Sequence, residues 1–497
     1  MADSYDLIII GAGSGGLTAA SFAARLGLNV ALVEKNRVGG DCTWTGCVPS
    51  KALLKVAKVA HQARTAARYG IETASPAVDM IRVREYVRGA IAGVYRRETP
   101  QMLAEEGIEV VFGPARFLDP HTIQAGQRTL SAKRFLITTG ARPMIPPIDG
   151  LDDVPYLTYE EIFDNDRLPA RLLVVGAGPI GVELAQAYGR LGSQVTLIDV
   201  GLLPREDPEV AEALSRVLAG EGLRFVEGLV AEARREGDEI ALRMKGSGQE
   251  VRGDMLLLAV GRAPNVNGLD LEKAGVAFSA QGIEVNKNLR TGVRHIYAAG
   301  DCVAGSQQFT HVAGWQAFLA VRNAFLPGGD NAFGPNVPRV TFTDPEVAHV
   351  GLTEAEARQQ IGHDVRVTRR AMDRTDRAVA EDDVAGFIKV VHKKDGTILG
   401  ATIVAGRAGE AITEFVLALE QDLKLADLAQ AMHAYPTYSS AVMQLAAEVT
   451  VGNLLGGLFG RIIRRLAGGS REAVDDRAID ARGQGLKLRN KEKILHD

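Results

Sequence analysis

The chain has 497 residues, 46% hydrophobic and 24% charged, with a formal net charge of −4. A length beyond the roughly 250–300 residues that one hydrophobic core serves predicts about three domains. The near-neutral balance argues against a polyanion-binding surface, so nucleic acid is not an expected partner, and the apolar content excludes a disordered chain. Three cysteines in so long a chain do not make the framework of a secreted domain. Residues 1–6 lack a basic segment and the apolar run 7–10 is too short for a signal sequence, so a cytoplasmic location is expected.

The run Leu7-Ile8-Ile9-Ile10 reads as a buried parallel strand. Gly11-Ala12-Gly13-Ser14-Gly15-Gly16 follows, then a helical pattern over 17–26 and a second strand, 30–33, ending in Glu34. This is the dinucleotide fingerprint. Gly11 permits the tight turn, Gly13 lets a pyrophosphate approach the backbone, Gly16 lets helix pack on strand, and Glu34 would hold a ribose hydroxyl.

Next comes Gly39-Gly40-Asp41-Cys42-Thr43-Trp44-Thr45-Gly46-Cys47-Val48-Pro49-Ser50-Lys51. Pro49 suits a first helical position and 52–60 is helical in pattern, which puts Cys47 at a helix N-terminus with Lys51 one turn on. Partial positive charge there lowers a thiol pKa from its reference of roughly 8.5. A zinc site, two inert thiols and a redox-active pair are the three readings. Zinc needs about four ligands, and only Cys302 and nine scattered histidines remain, so no metal site is expected.

The fingerprint recurs. Leu172-Leu173-Val174-Val175 precedes Gly176-Ala177-Gly178-Pro179-Ile180-Gly181, a helix through Leu191, and a strand over 195–198 ending in Asp199. In both copies the acid lies 23 residues after the first glycine, which predicts two bound nucleotides. Asp199 suits a free 2′-hydroxyl and repels a 2′-phosphate, so NADH is expected at the second site; Arg205 keeps NADPH as the alternative. From about Pro335 the pattern changes. Strands at 340–342, 387–391 and 398–404 alternate with helices at 353–360 and 408–421, the mark of an α+β domain.

Together the two fingerprints and the Cys42–Lys51 segment resemble the pyridine nucleotide-disulfide oxidoreductases. Val260-Gly261-Arg262-Ala263-Pro264-Asn265 is similar to the family's segment beside the nicotinamide, and Ala298-Ala299-Gly300-Asp301 to the strand end whose Asp binds the FAD ribityl chain. The resemblance implies an α/β fold of two Rossmann-like dinucleotide-binding domains and a C-terminal α+β dimerisation domain. Residues 1–150 and 265–334 would hold FAD, 151–264 NAD(P), and 335–450 would pair two subunits into a homodimer. It places FAD on Gly11, Gly13, Gly16, Glu34, Thr139, Gly140 and Asp301, and the nicotinamide cofactor on Gly176, Gly178, Gly181, Asp199 and Gly261. It pairs Cys42 with Cys47 as the redox disulfide, puts Lys51 beside the flavin, and sets Glu183 against Lys51. Electrons would pass from NADH through flavin to Cys47, the flavin-proximal thiol, and then to Cys42, which meets the acceptor.

The chain also departs from its relatives. Where the lipoamide and glutathione branches carry His-x-His-Pro-Thr and then Glu, the sequence here is His433-Ala434-Tyr435-Pro436-Thr437-Tyr438-Ser439-Ser440. A phenol with a reference pKa near 10 is a poor base beside imidazole at about 6.5. Tyr435 resembles the mercuric reductase branch, whose thiolate-bound metal acceptor needs no such base, although that branch's C-terminal cysteine pair is missing, since no cysteine follows Cys302. The favoured acceptor is therefore Hg(II) or a similar metal thiolate. A dihydrolipoamide or other disulfide substrate, and a flavin-bound redox sensor, are the alternatives. Tyr435 either reaches the second subunit's dithiol or only packs at the interface; His311 lies near the flavin edge or is structural; Trp44 is expected to narrow access to the cysteines.

In the C-terminal stretch, Leu454, Leu455, Leu458, Phe459, Ile462, Ile463 and Leu466 share one helical face, with Arg461, Arg464 and Arg465 largely opposite. It is expected to pack on its own dimer, with peripheral contact to an anionic membrane through 454–466 as the alternative. Residues 468–497 read as a polar, mobile tail.

Overall fold

The computed structural model describes residues 3–456 together with 460, 462 and 466. The 454–466 stretch lies mostly outside these residues, and the 468–497 tail wholly so. No helix among the described residues is long and apolar enough to cross a membrane.

Three sheets carry the molecule. In the first, strands Ile108–Phe112, Val30–Glu34, Asp3–Ile10 and Arg128–Ile137 run side by side in parallel; Ile296–Ala298 also pairs parallel with the last, and an antiparallel hairpin of Ala115–Asp119 and Thr122–Ala125 extends the sheet. Leu7, Ile8, Ile9 and Ile10 are all buried, because helices cover a parallel sheet on both faces and each such side chain contributes about 1.5–3 kcal/mol.

The second unit repeats the plan with four parallel strands in the order Arg224–Glu227, Gln194–Asp199, Arg171–Val175, Met255–Leu258. A two-stranded link joins the units, Ala141–Pro143 pairing antiparallel with Arg262–Pro264. The third sheet is wholly antiparallel, in the order Arg339–Thr341, Glu346–Gly351, Ile398–Ala405, Phe387–Lys393, Val365–Ala371.

One apolar core ties the cysteine segment to the second unit and the third sheet. It gathers Ala52, Leu53 and Ala57 from the cysteine helix, Val182, Leu184 and Tyr188 from the second unit, and Val347, Phe387 and Val404 from the third sheet. Close packing of this kind transmits position, so the second unit and the third sheet together hold the cysteine helix.

Candidate active site

The helix after the cysteines spans Cys47–Thr65, with Gly46 as its cap. It therefore starts two residues earlier than Pro49 suggested: Cys47 is the first helical residue and Pro49 the third, still within the turn whose N–H groups have no intrahelical partner. Cys42 lies on the short helix Gly40–Trp44. The two cysteines are free thiols in hydrogen-bond contact. Their environments differ. The hydrogen bond from Cys42, the Thr310 hydroxyl and the nearby Lys51 pull Cys47 down to about 6, against partial desolvation and Glu183. That same hydrogen bond and burial push Cys42 up. Cys47 is thus the thiolate of the pair and Cys42 the thiol.

Lys51 lies one turn along the helix. Its Nζ is 2.8 Å from Glu183 Oε2 and 4.3 Å from the centre of the Phe342 ring. Glu183 is buried on the helix Pro179–Leu191, and its other oxygen accepts the Phe342 N–H at 2.8 Å. The pair thus joins the cysteine helix, the second unit and the C-terminal domain at one point.

The two glycine runs form matching cradles. Gly11 turns at φ +107° and Gly176 at +110°. A Cβ on Gly16 would lie 1.9 Å from the Gly11 carbonyl oxygen, and one on Gly181 would lie 1.8 Å from that of Gly176. A Cβ on Gly178 would meet nothing within 4 Å, and one on Gly13 would meet only the Gly40 Cα, at 3.7 Å, so the middle glycines face open room. Glu34 accepts the Ala12 and Asn36 N–H groups at 2.9 and 2.8 Å, and Asp199 accepts those of Ala177 and Val200 at 2.6 and 2.7 Å. These bonds fix each carboxylate at its cradle.

Arg262, in the strand that leaves the second unit, binds Asp41 at 2.5 Å, Asp301 at 3.0 Å and the Tyr159 hydroxyl at 3.2 Å. Burial pushes both carboxyls up, and Arg262 opposes it. Beside Asp301, the Thr139 hydroxyl donates to the Asn265 carbonyl at 2.7 Å, the Gly140 carbonyl accepts the Asn265 N–H at 2.9 Å, and Gly140 and Gly261 both take positive φ.

Residues 5–317 match the family model for the pyridine nucleotide-disulphide oxidoreductases, and residues 337–446 match that family's dimerisation domain. The chain belongs to this family. Among its relatives, a Staphylococcus aureus mercuric reductase is 35% identical over 89% of this chain and 82% of its own length. A Thermus scotoductus dihydrolipoyl dehydrogenase is 38% identical over 89% of this chain and 97% of its own length. Among solved structures, the Cu(II) complex of the HOCl-induced flavoprotein disulfide reductase RclA from Escherichia coli superposes with a TM-score of 0.82 at 26% identity, covering 90% of this chain and 100% of that one. LpdA from Mycobacterium tuberculosis does so with 0.82 at 28% identity, covering 89% and 99%.

The members of this oxidoreductase family are FAD-containing, NAD(P)H-dependent enzymes, and the residues present here fit both groups. The helix Ser14–Arg25 has no acidic residue in its first turn and no side-chain cap, which leaves its N–H groups for a phosphate. The second helix starts in the same way, from Gly178 and Pro179.

At the far end of the oxidoreductase chain, Tyr435 precedes a cis proline and is 67% exposed, with its hydroxyl donating to Asp376. Its ring therefore stands on the surface of the subunit. His433 is not free to serve as a base: Nε2 is 2.8 Å from Glu414 Oε2 and Nδ1 is 2.8 Å from the Ala431 carbonyl. Burial pulls His433 down, but these two partners outweigh it and leave it above its usual value. His311 Nε2 is 3.0 Å from the Pro338 carbonyl and its ring stacks on Phe309. Trp44 packs against Tyr95 and under Arg37, with its indole N–H donating to the Val38 carbonyl at 2.7 Å.

Sequence reasoning missed Thr310, Asp41 and the Phe342 amide. Asp41 lies inside the Gly39–Lys51 segment, and Thr310 directly precedes His311. Only the tertiary contact marks them.

Proposed function

We propose that the protein is a homodimeric NAD(P)H oxidoreductase that passes electrons through the Cys42–Cys47 pair to a thiolate-bound metal ion, Hg(II) or a similar soft ion. The observation that carries this reading is the 433–440 segment, which offers a phenol and no free imidazole, since both nitrogens of His433 are taken. Turnover of an organic disulfide needs a base with pKa near neutrality to move the thiol proton, worth roughly 10²–10⁴ in rate. Removing two electrons from thiolate sulfur to a bound metal ion needs none. The balance is NAD(P)H + Hg(II) → NAD(P)⁺ + H⁺ + Hg(0). The mercuric reductase relatives and the RclA structure with Cu(II) agree with such an acceptor.

In this reading Cys42 meets the metal thiolate and Cys47 stays on the flavin side. Lys51, fixed by Glu183, orients the edge of the flavin, and Tyr435 acts on the dithiol of the second subunit. Gly11, Gly13, Gly16, Glu34, Thr139, Gly140 and Asp301 would hold FAD, which when bound supplies the two-electron relay between nicotinamide and sulfur. Gly176, Gly178, Gly181, Asp199 and Gly261 would hold the nicotinamide cofactor, with Asp199 favouring NADH. A reducing cytoplasm suits a working dithiol.

A dihydrolipoyl or other disulfide substrate is the second reading, favoured by the Thermus scotoductus relative. Anaerobic NADH oxidation with Hg(II) in excess thiol, set against lipoamide at equal concentration, separates the two. Turnover on Hg(II) without turnover on lipoamide is expected. The reverse would overturn the metal reading and assign the proton transfer to Tyr435.

A further inference from the structure

The thiol pair has a hydroxyl neighbour to which the electron relay assigns no part. Thr310 is the first residue of the helix Thr310–Phe325, which packs against the first fingerprint helix. Its hydroxyl oxygen is 3.3 Å from Cys47 Sγ. Among the described residues it has no other hydrogen-bond partner. The helix begins at Phe309 in extended conformation with no side-chain cap and no acidic residue in its first turn, so nothing on it competes for the positive end.

Cys47 therefore lies at two helix starts. One is its own, where it is the first residue after Gly46. The other is presented by Thr310, across 263 residues of sequence. A neutral thiol gains little from this arrangement, because S–H is a weak donor and the hydroxyl has a wide choice of partners. A thiolate gains a charge-assisted hydrogen bond and two partial positive ends.

We propose that Thr310 is a catalytic residue of the dithiol, whose hydroxyl donates to Cys47 Sγ and holds it as the thiolate of the reduced pair. The step it serves balances simply. Opening the Cys42–Cys47 disulfide takes the two electrons and one proton of one NAD(P)H hydride: the S–S bond breaks, Cys42 keeps the proton as a thiol, and Cys47 keeps a negative charge. The Thr310 role rests on the dithiol as the reacting centre and not on which acceptor follows, so it stands or falls separately from metal reduction.

The test is the pH dependence of Cys47 alkylation by iodoacetamide in the fully reduced, full-length protein, with the two cysteines told apart by fragment-ion mass spectrometry. Thr310→Val keeps the shape and removes the donor; Thr310→Ser keeps the donor. Thr310→Val is expected to move the inflection up by about one pH unit, lowering the thiolate fraction below that inflection roughly tenfold, the scale of one hydrogen bond to a charged group. Thr310→Ser is expected to stay with the parent protein. An unmoved inflection in Thr310→Val would overturn the proposal, and so would an equal shift in both variants, which would signal packing. Should Thr310→Val fail to fold, Thr310→Ala supplies the same comparison with less bulk.

Discussion

In both nucleotide units the first glycine turns at positive φ and the third packs on the carbonyl of the first, yet the helices that follow have different surroundings. The helix Ser14–Arg25 buries only Gly15, Gly16, Ala19, Ala20 and Ala23, a small-residue face against the helix Thr310–Phe325. The helix Pro179–Leu191 buries nearly all of itself, Glu183, Gln186 and Arg190 included. Each of those polar residues is satisfied across a module boundary. Glu183 takes Lys51 and the Phe342 amide; Gln186 bonds both the N–H and the carbonyl of Asp344, at 2.8 and 2.9 Å; Arg190 binds Glu221 at 2.5 Å and Asp344 at 2.7 Å. The first repeat is a nucleotide cradle. The second is a cradle and also the joint that sets the cysteine helix against the C-terminal domain.

The likeness of the two cradles breaks most easily at their third glycines. Gly16→Ala and Gly181→Ala each drive a Cβ into a backbone oxygen at under 2 Å. Either should cost more than about 4 kcal/mol, among the largest effects of single substitutions, and abolish soluble folded protein. If Gly16→Ala expressed normally and retained flavin while Gly181→Ala did not, the cradles would not be equivalent.

The difference between the helices is tested one step down in size. Arg190→Met leaves Glu221 and Asp344 without their buried cation and should lower stability in urea by about 3–5 kcal/mol. Arg25→Met, on the exposed end of the first helix, should stay within about 0.5 kcal/mol. Equal losses would show that the second helix is no more a joint than the first.

The smallest effect concerns the charge that the joint delivers to the thiols. Lys51 pulls Cys47 down and Glu183 holds it up. Lys51→Met should therefore move the alkylation inflection of Cys47 upward from about 6, with slower alkylation at neutral pH. Glu183→Gln should move it downward while keeping a hydrogen-bonding group at the site. Shifts on the order of one pH unit or less are expected for partly exposed groups. Movement in the same direction would separate the two side chains' effects from their charges.

Much of the fold was legible because its signals are local. The strand and helix limits in both nucleotide units and in the C-terminal domain fall within a few residues of those read from periodicity, since glycine spacing and apolar alternation are set over short windows. Pro49 misled by two residues because proline is tolerated anywhere in the first helical turn, and Gly46 sets the start. The Lys51–Glu183 pair, 132 residues apart, was legible only through resemblance. The 433–440 segment shows in sequence that imidazole is replaced by phenol at 435, but not what His433 touches. The structure commits both of its nitrogens, one to Glu414 on a helix whose facing side the sequence does not fix.

The sequence by itself determined the class of the enzyme. Two glycine cradles, each closed by an acid, and a cysteine at a helix start are local chemistry that backbone geometry must express wherever the segments fold. Only the tertiary structure decided which distant groups share that chemistry. It brought Thr310 to Cys47, Asp41 to Arg262 across 221 residues, and the turn carrying Phe342 and Asp344 to Glu183 and Arg190. Such pairs depend on how the sheets pack against one another, and a hydrogen bond has a reach of about 3 Å. The residue types on the chain do not encode that distance until the core has formed.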